Sequence, residues 1–113
     1  MSGPSRELQT LKAEFFRAMA HPARIRILEV LSQHRELSVA ALQLRLDVDQ
    51  PIVSQQLAKL RAHGVVTSRK QGTTVLYTLA DPRIADLLKT AKDILNRRLI
   101  GTKTLLHELR RSS

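Results

Sequence analysis

Apolar residues in this chain recur mainly at helical spacing. Leu8, Leu11, Phe15 and Met19 lie three or four positions apart, and Phe16 widens the stripe, so a first helix is predicted. Ser5 is placed to cap it, with Glu7 in its first turn, and residues Met1 to Pro4 read as a loose tail. Ala20-His21-Pro22 ends it, because proline disfavours the helical state in the residue before it. Pro22 then opens a second helix to about Gln33. Its pattern buries Ile25, Ile27, Leu28 and Leu31 and exposes Arg24, Arg26 and Glu29. Glu36-Leu37 is a short extended link. Ser38 caps a brief third helix with Val39, Leu42 and Leu46 inward, and Asp47-Val48-Asp49 is a turn.

Asp49 caps a fourth helix whose apolar stripe is Val53, Leu57 and Leu60. Gly64 stops it in the left-handed conformation. A two-stranded hairpin follows, with the basic tip Ser68-Arg69-Lys70-Gln71-Gly72-Thr73-Thr74. Asp81 caps a last helix with Pro82 at its first position, and Ile84, Leu87, Leu88, Ala91, Ile94, Leu95 and Leu99 keep helical spacing along it. Gly101 is read as its end or a kink, and the tail from Thr102, with Leu105, Leu106 and Leu109, is compatible with one more helical segment. The expected fold is mainly α with a small β-hairpin, in the order α-α-(β)-α-α-β-β-α. This is a winged helix-turn-helix plan. The domain is placed at residues 7–100 and the tail at 101–113.

The fourth helix is the most informative element. Away from its stripe it carries Gln50, Ser54, Gln55, Gln56, Lys59 and Arg61, with no carboxylate. Amides and hydroxyls suit base edges, and cations suit phosphates, on a helix lying in the major groove. Gln50, Ser54, Gln55 and Lys59 are therefore assigned to DNA, with Arg69, Lys70 and Thr73 of the wing on phosphate.

Composition supports that partner. Nineteen basic residues against ten acidic give a net charge of +9 over 113 residues, a length suited to one domain. Polyanionic DNA is what such a field gathers from solution. A membrane is not expected as partner: no apolar run approaches the ~18 residues of a spanning helix. The N-terminus lacks an apolar signal core, so a cytoplasmic location is expected. With no cysteine, disulfides, thiolate metal sites and cysteine nucleophiles are excluded.

The first and last helices carry more apolar surface than a small helix-turn-helix core can cover. Leu11 and Phe15, with Leu88, Ala91 and Leu95, are expected at a two-fold interface, giving a homodimer that engages two half-sites of a palindromic operator.

Several stretches resemble the ArsR/SmtB family of winged-helix regulators. Ala20-His21-Pro22-Ala23-Arg24-Ile25-Arg26-Ile27-Leu28 is similar to the family's entry into its second helix, and Glu36-Leu37-Ser38-Val39 with Leu42 to the start of its third. Val53-Ser54-Gln55-Gln56-Leu57 with Leu60 and Gly64-Val65-Val66 resembles its recognition helix and exit. Gly72 followed by Tyr77 and Leu79 resembles its wing. The set spans about residues 7 to 100 and implies a homodimeric transcription factor, most often a repressor released by an effector.

Many family members sense metals, but the positions that do so are altered here. The family's thiolate pair in its third helix falls on Ser38 and Ala40, which supply no thiolate. The site across its paired last helices matches at Asp81 only, with Arg83, Ile94 and Arg97 on the other places. Four histidines remain. His21 precedes Pro22, His34 and His63 end helices, and His107 has no structural task. His107 is therefore the candidate ligand for nickel or zinc, with a second histidine and the N-terminus. The chain also loosely resembles nickel-linked actinobacterial members, in general pattern and in no ligand motif.

An enzyme is the least favoured class. Ser38, Ser54 and Ser68 have no nearby acid-base partner in sequence, and Gly72 belongs to a hairpin rather than a phosphate loop. The rival reading is a DNA-binding or interaction subunit that needs a second regulatory protein to sense the signal.

Overall fold

A computed structural model describes residues 4–112. In chain order the elements are α1 (Pro4–Met19), α2 (Pro22–Ser32), β1 (Leu37–Ser38), α3 (Val39–Leu46), α4 (Gln50–Ala62), β2 (Val66–Gln71), β3 (Thr74–Leu79) and α5 (Arg83–Ser112). The fold is the winged helix-turn-helix expected. The extended link becomes a third strand: β1 pairs with β3 at Leu37–Tyr77 and Ser38–Leu76, giving an antiparallel sheet ordered β1-β3-β2.

The helix starts follow local chemistry. His21 Nδ1 accepts from Ala23 N–H at 3.1 Å at the start of α2. Ser38 Oγ accepts from Ala41 N–H at 3.1 Å at the start of α3. Asp81 Oδ1 accepts from Arg83 N–H at 2.8 Å, and α5 begins one residue after Pro82. Asp49 holds the N-cap position of α4, but its side chain makes no capping bond. Helix α1 already begins at Pro4, so Ser5 lies inside it rather than before it; Met1 to Gly3 of the expected tail lie outside the described residues.

The end of α4 is sharp. Val65 N–H reaches back to Leu60 C=O at 2.9 Å and Gly64 N–H to Arg61 C=O at 3.0 Å. This is a Schellman closure, and Gly64 at φ 70° supplies the left-handed residue it requires. The chain turns at once into the buried Val65 and Val66, which anchor the base of the wing.

The core sits where α2, α3 and α4 converge. Ile27, Leu28, Leu31, Leu42, Leu46, Val53, Leu57 and Leu60 are all buried there, with Met19 of α1 and Ile84 of α5 closing its edges. Three expectations fail, the first at Arg24, which was expected to be exposed and is half-buried. Ile25 is exposed, because the inward face of α2 is set by Ile27, Leu28 and Leu31. Gln56 is buried, although it was grouped with the polar faces. It lies between Val53 and Leu60 on the stripe, three residues from one and four from the other.

Helix α5 does not end or break at Gly101; it runs on to Ser112. At ~1.5 Å per residue it is about 45 Å long. From Lys89 to Arg111 every residue is exposed, so most of it stands clear of the body. The radius of gyration, 18.0 Å, reflects this, against about 13 Å for a compact chain of similar size. No helix among the described residues is long and apolar enough to cross a membrane.

Candidate nucleic-acid interface

The rotation of α4 is set by burial. Val53, Leu57 and Leu60 are fully packed, and this turns Gln50, Ser54, Gln55 and Lys59 outward, all four exposed. Helix α3 braces α4 from behind through Leu42 and Leu46, the pairing of a helix-turn-helix. The turn between them passes through Asp47 in the left-handed region, at φ 52°. Asp and Asn tolerate that region better than most residues.

The wing lies immediately after α4. Six residue pairs join β2 to β3, from Val66–Leu79 to Gln71–Thr74. Gly72 at φ 64° is the first of the two loop residues, as a type II′ turn demands. Lys70 and Thr73 are exposed near the tip.

Arg69 has a partner that sequence reasoning missed. Its Nε and Nη2 donate to the two carboxylate oxygens of Glu36, each at 2.6 Å. A third contact from Nη2 reaches Gln71 Oε1 at 3.4 Å. The bidentate Arg69 guanidinium holds the Glu36 carboxyl below its ordinary range. Glu36 precedes β1, and only the pairing of β1 with β3 brings it within reach of Arg69 on β2, across β3. No local sequence signal marks that contact.

Arg24 is the second missed residue. Its Nε donates to Gln56 Oε1 at 2.9 Å and its Nη1 to Ala18 C=O at 3.0 Å. One half-buried side chain thus ties α1, α2 and α4 together. The stripe 53, 56, 57, 60 has the i, i+3, i+4, i+7 spacing of an inward face, so the position of Gln56 was readable. Similarly, Arg26 Nη2 caps the end of α3 by donating to Leu46 C=O at 2.9 Å.

The expected interface residues divide. Leu11, Ala91 and Leu95 are exposed, whereas Phe15 and Leu88 are half-buried against the core. Around them Leu8, Phe16, Ile94 and Leu99 are also exposed, as are Leu105, Leu106 and Leu109 further along α5. Like Leu105, His107 lies exposed on α5. Among the described residues, no three His, Asp or Glu side chains gather as a metal cluster. The N-terminal part of that expected site lies outside the described residues.

Comparison with known proteins agrees with this geometry. A helix-turn-helix domain family matches residues 19–69, the span from the end of α1 to the wing. An uncharacterized helix-turn-helix transcriptional regulator of Mycobacterium tuberculosis, Rv0081, is 47% identical over 108 residues, covering 94% of this chain and 93% of that protein. Its crystal structure superposes with a TM-score of 0.74 at 45% identity, over 89% of this chain and 98% of that one. The helix-turn-helix repressor SmtB of the same organism is 42% identical over 88 residues, or 78% of this chain and 64% of that protein. The chain belongs to the ArsR/SmtB family of helix-turn-helix transcriptional regulators. A solution structure of a homodimeric winged helix-turn-helix domain from Mycobacterium bovis, described as a possible ArsR-family regulator, superposes at a TM-score of 0.77. It is 26% identical, over 88% of this chain and 91% of that one. Members of this family bind DNA and regulate transcription, so this ArsR/SmtB-family protein is a DNA-binding regulator and not an enzyme.

Proposed function

We propose that this regulator is a homodimeric repressor that binds a palindromic operator and leaves it in response to an effector. The observation that carries the reading is the outward face of α4. Four groups able to contact bases or phosphates stand on it without a carboxylate among them, beside an exposed wing. Gln50, Ser54 and Gln55 read base edges; Lys59, Lys70 and Thr73 contact phosphate, joined by Arg69 when Glu36 releases it.

Dimerisation is supported by the uncovered apolar faces of α1 and α5. Leu8 and Leu11 on one helix, and Leu95 and Leu99 on the other, are each more than half exposed in the single chain. Burying such faces against a second copy removes them from water and sets two α4 helices a fixed distance apart.

The test is binding of the purified protein to the promoter next to its own gene. A discrete footprint over an inverted repeat, formed by dimers at moderate salt, is the expected result. Binding without sequence preference, or only with an added protein, would overturn the autonomous-repressor reading.

A further inference from the structure

An open cleft of about 400 Å³ lies where the end of α1, the start of α2 and the end of α4 meet. Glu14, Arg17, His21, Arg24 and His63 line it, with Ala18 and Ala20 as its apolar wall. None of these residues has a role on the outward face of α4. We infer that this cleft binds inorganic phosphate in its singly protonated, dianionic form.

The polar atoms explain the choice of ligand. Arg24 uses Nε and Nη1 on Gln56 and Ala18, and among the described residues no carboxylate pairs with it or with Arg17. Two guanidinium groups thus line one cleft, neither of them in a salt bridge, although the Glu14 carboxylate lines it too. His21 Nδ1 accepts from Ala23 N–H, so in the neutral ring the proton sits on Nε2, which is a donor. His63 is the reverse. Its Nδ1 lies 2.9 Å from Lys59 C=O, and a carbonyl only accepts. Nδ1 therefore carries the proton, and neutral His63 offers Nε2 as an acceptor.

Besides the Glu14 carboxylate, the cleft thus presents several donors and one neutral acceptor to a small anion. Hydrogen phosphate matches: three oxygens accept from Arg17, Arg24 and His21, and its remaining O–H donates to His63. Sulfate has the same shape and charge but no proton to give. A phosphate monoester in weakly alkaline solution lacks it too. Glu14, which lines the same cleft, repels any dianion and keeps affinity low. The ligand would bridge α1, through Arg17, and the recognition helix, through His63. It would thereby couple the helix assigned to dimerisation with the helix assigned to DNA. That consequence rests on the proposed function; binding itself does not.

The experiment is an NMR titration of the full chain's imidazole resonances in weakly alkaline buffer, with phosphate replacing chloride at constant ionic strength. His21 and His63 should shift along one saturable curve, while His34 and His107 stay in place. Sulfate and methyl phosphate should bind about tenfold more weakly, the loss of one hydrogen bond to an ion. Arg17→Gln should weaken phosphate by about tenfold or more, and Glu14→Gln should tighten it. Both residues are exposed on α1, so neither change touches the core. A common unsaturable drift of all four histidines would overturn the site, as would equal binding of sulfate or an unchanged Arg17→Gln protein. If random-sequence duplex DNA displaces phosphate and Arg17→Gln weakens duplex binding equally, the cleft holds a DNA phosphate and the inference falls.

Discussion

Arg69 and Glu36 are joined by two hydrogen bonds of 2.6 Å, so the wing's guanidinium is occupied by the protein's own carboxylate. The pair is exposed, and water and salt weaken it, so its worth to stability is small. Its consequence falls on DNA binding. A phosphate must compete with Glu36 for the same fork. Glu36→Gln should therefore tighten binding to all DNA and steepen the slope of log affinity against log salt by about one. Affinities of wild type and variant for random duplex at several salt concentrations check this. An unchanged slope would show that Arg69 does not reach the backbone.

Base reading predicts a different signature. Gln55→Ala should cost about 1–3 kcal/mol at the operator and much less on random DNA. Competition binding with both duplexes measures the difference. Equal losses would remove Gln55 from the base-reading set.

Assembly rests on the exposed apolar faces. Leu95→Glu should split the dimer and weaken operator binding, since a single half-site loses the benefit of joint engagement. Leu95 is exposed and lies outside the core cluster, so the monomer should stay folded. Sedimentation with circular dichroism checks both points. A variant that still sediments as a dimer places the interface elsewhere.

The Arg24–Gln56 contact should be felt in stability. Gln56→Ala removes the acceptor of a half-buried guanidinium and should cost about 1.5–3 kcal/mol. Urea denaturation at neutral pH measures it. A cost near zero would mean that solvent takes over the contact.

Asp81 should govern acid behaviour at the start of α5. Its carboxylate accepts from the Arg83 side chain and Arg83 N–H, and these bonds lower its pKa from an ordinary 3.8 to about 2. A carboxyl whose folded value is depressed favours the folded state fully above its unfolded value, and this is lost as pH falls through the folded one. Asp81→Asn should therefore lower Tm at neutral pH, with the gap to wild type closing between 3.8 and about 2. Thermal melts across that window follow it. A gap that persists below it would trace the effect to something other than the charge.

Much of this protein was determined by its sequence alone. The period of Val53, Leu57 and Leu60 set the rotation of α4, because a 3.6-residue repeat leaves one inward face and so dictates the outward one. Pro22, Ser38, Gly64 and Asp81 marked helix ends because caps and left-handed closures are satisfied by near neighbours in the chain. Tertiary structure decided what depends on segments far apart. Glu36 meets Arg69 only because β1 joins the sheet, across 33 positions of sequence. Arg24 reaches Gln56 across 32, giving the amide on the inward stripe its donor. Local pattern cannot foresee such pairs, since neither partner's own neighbours carry the signal. The extent of α5, by contrast, is a local matter, since the helix beyond Leu88 is exposed and the reading of Gly101 as an end or kink gave too much weight to one residue. A single glycine costs a helix only about 1 kcal/mol, and the flanking residues outweigh it, so α5 passes through Gly101 unbroken.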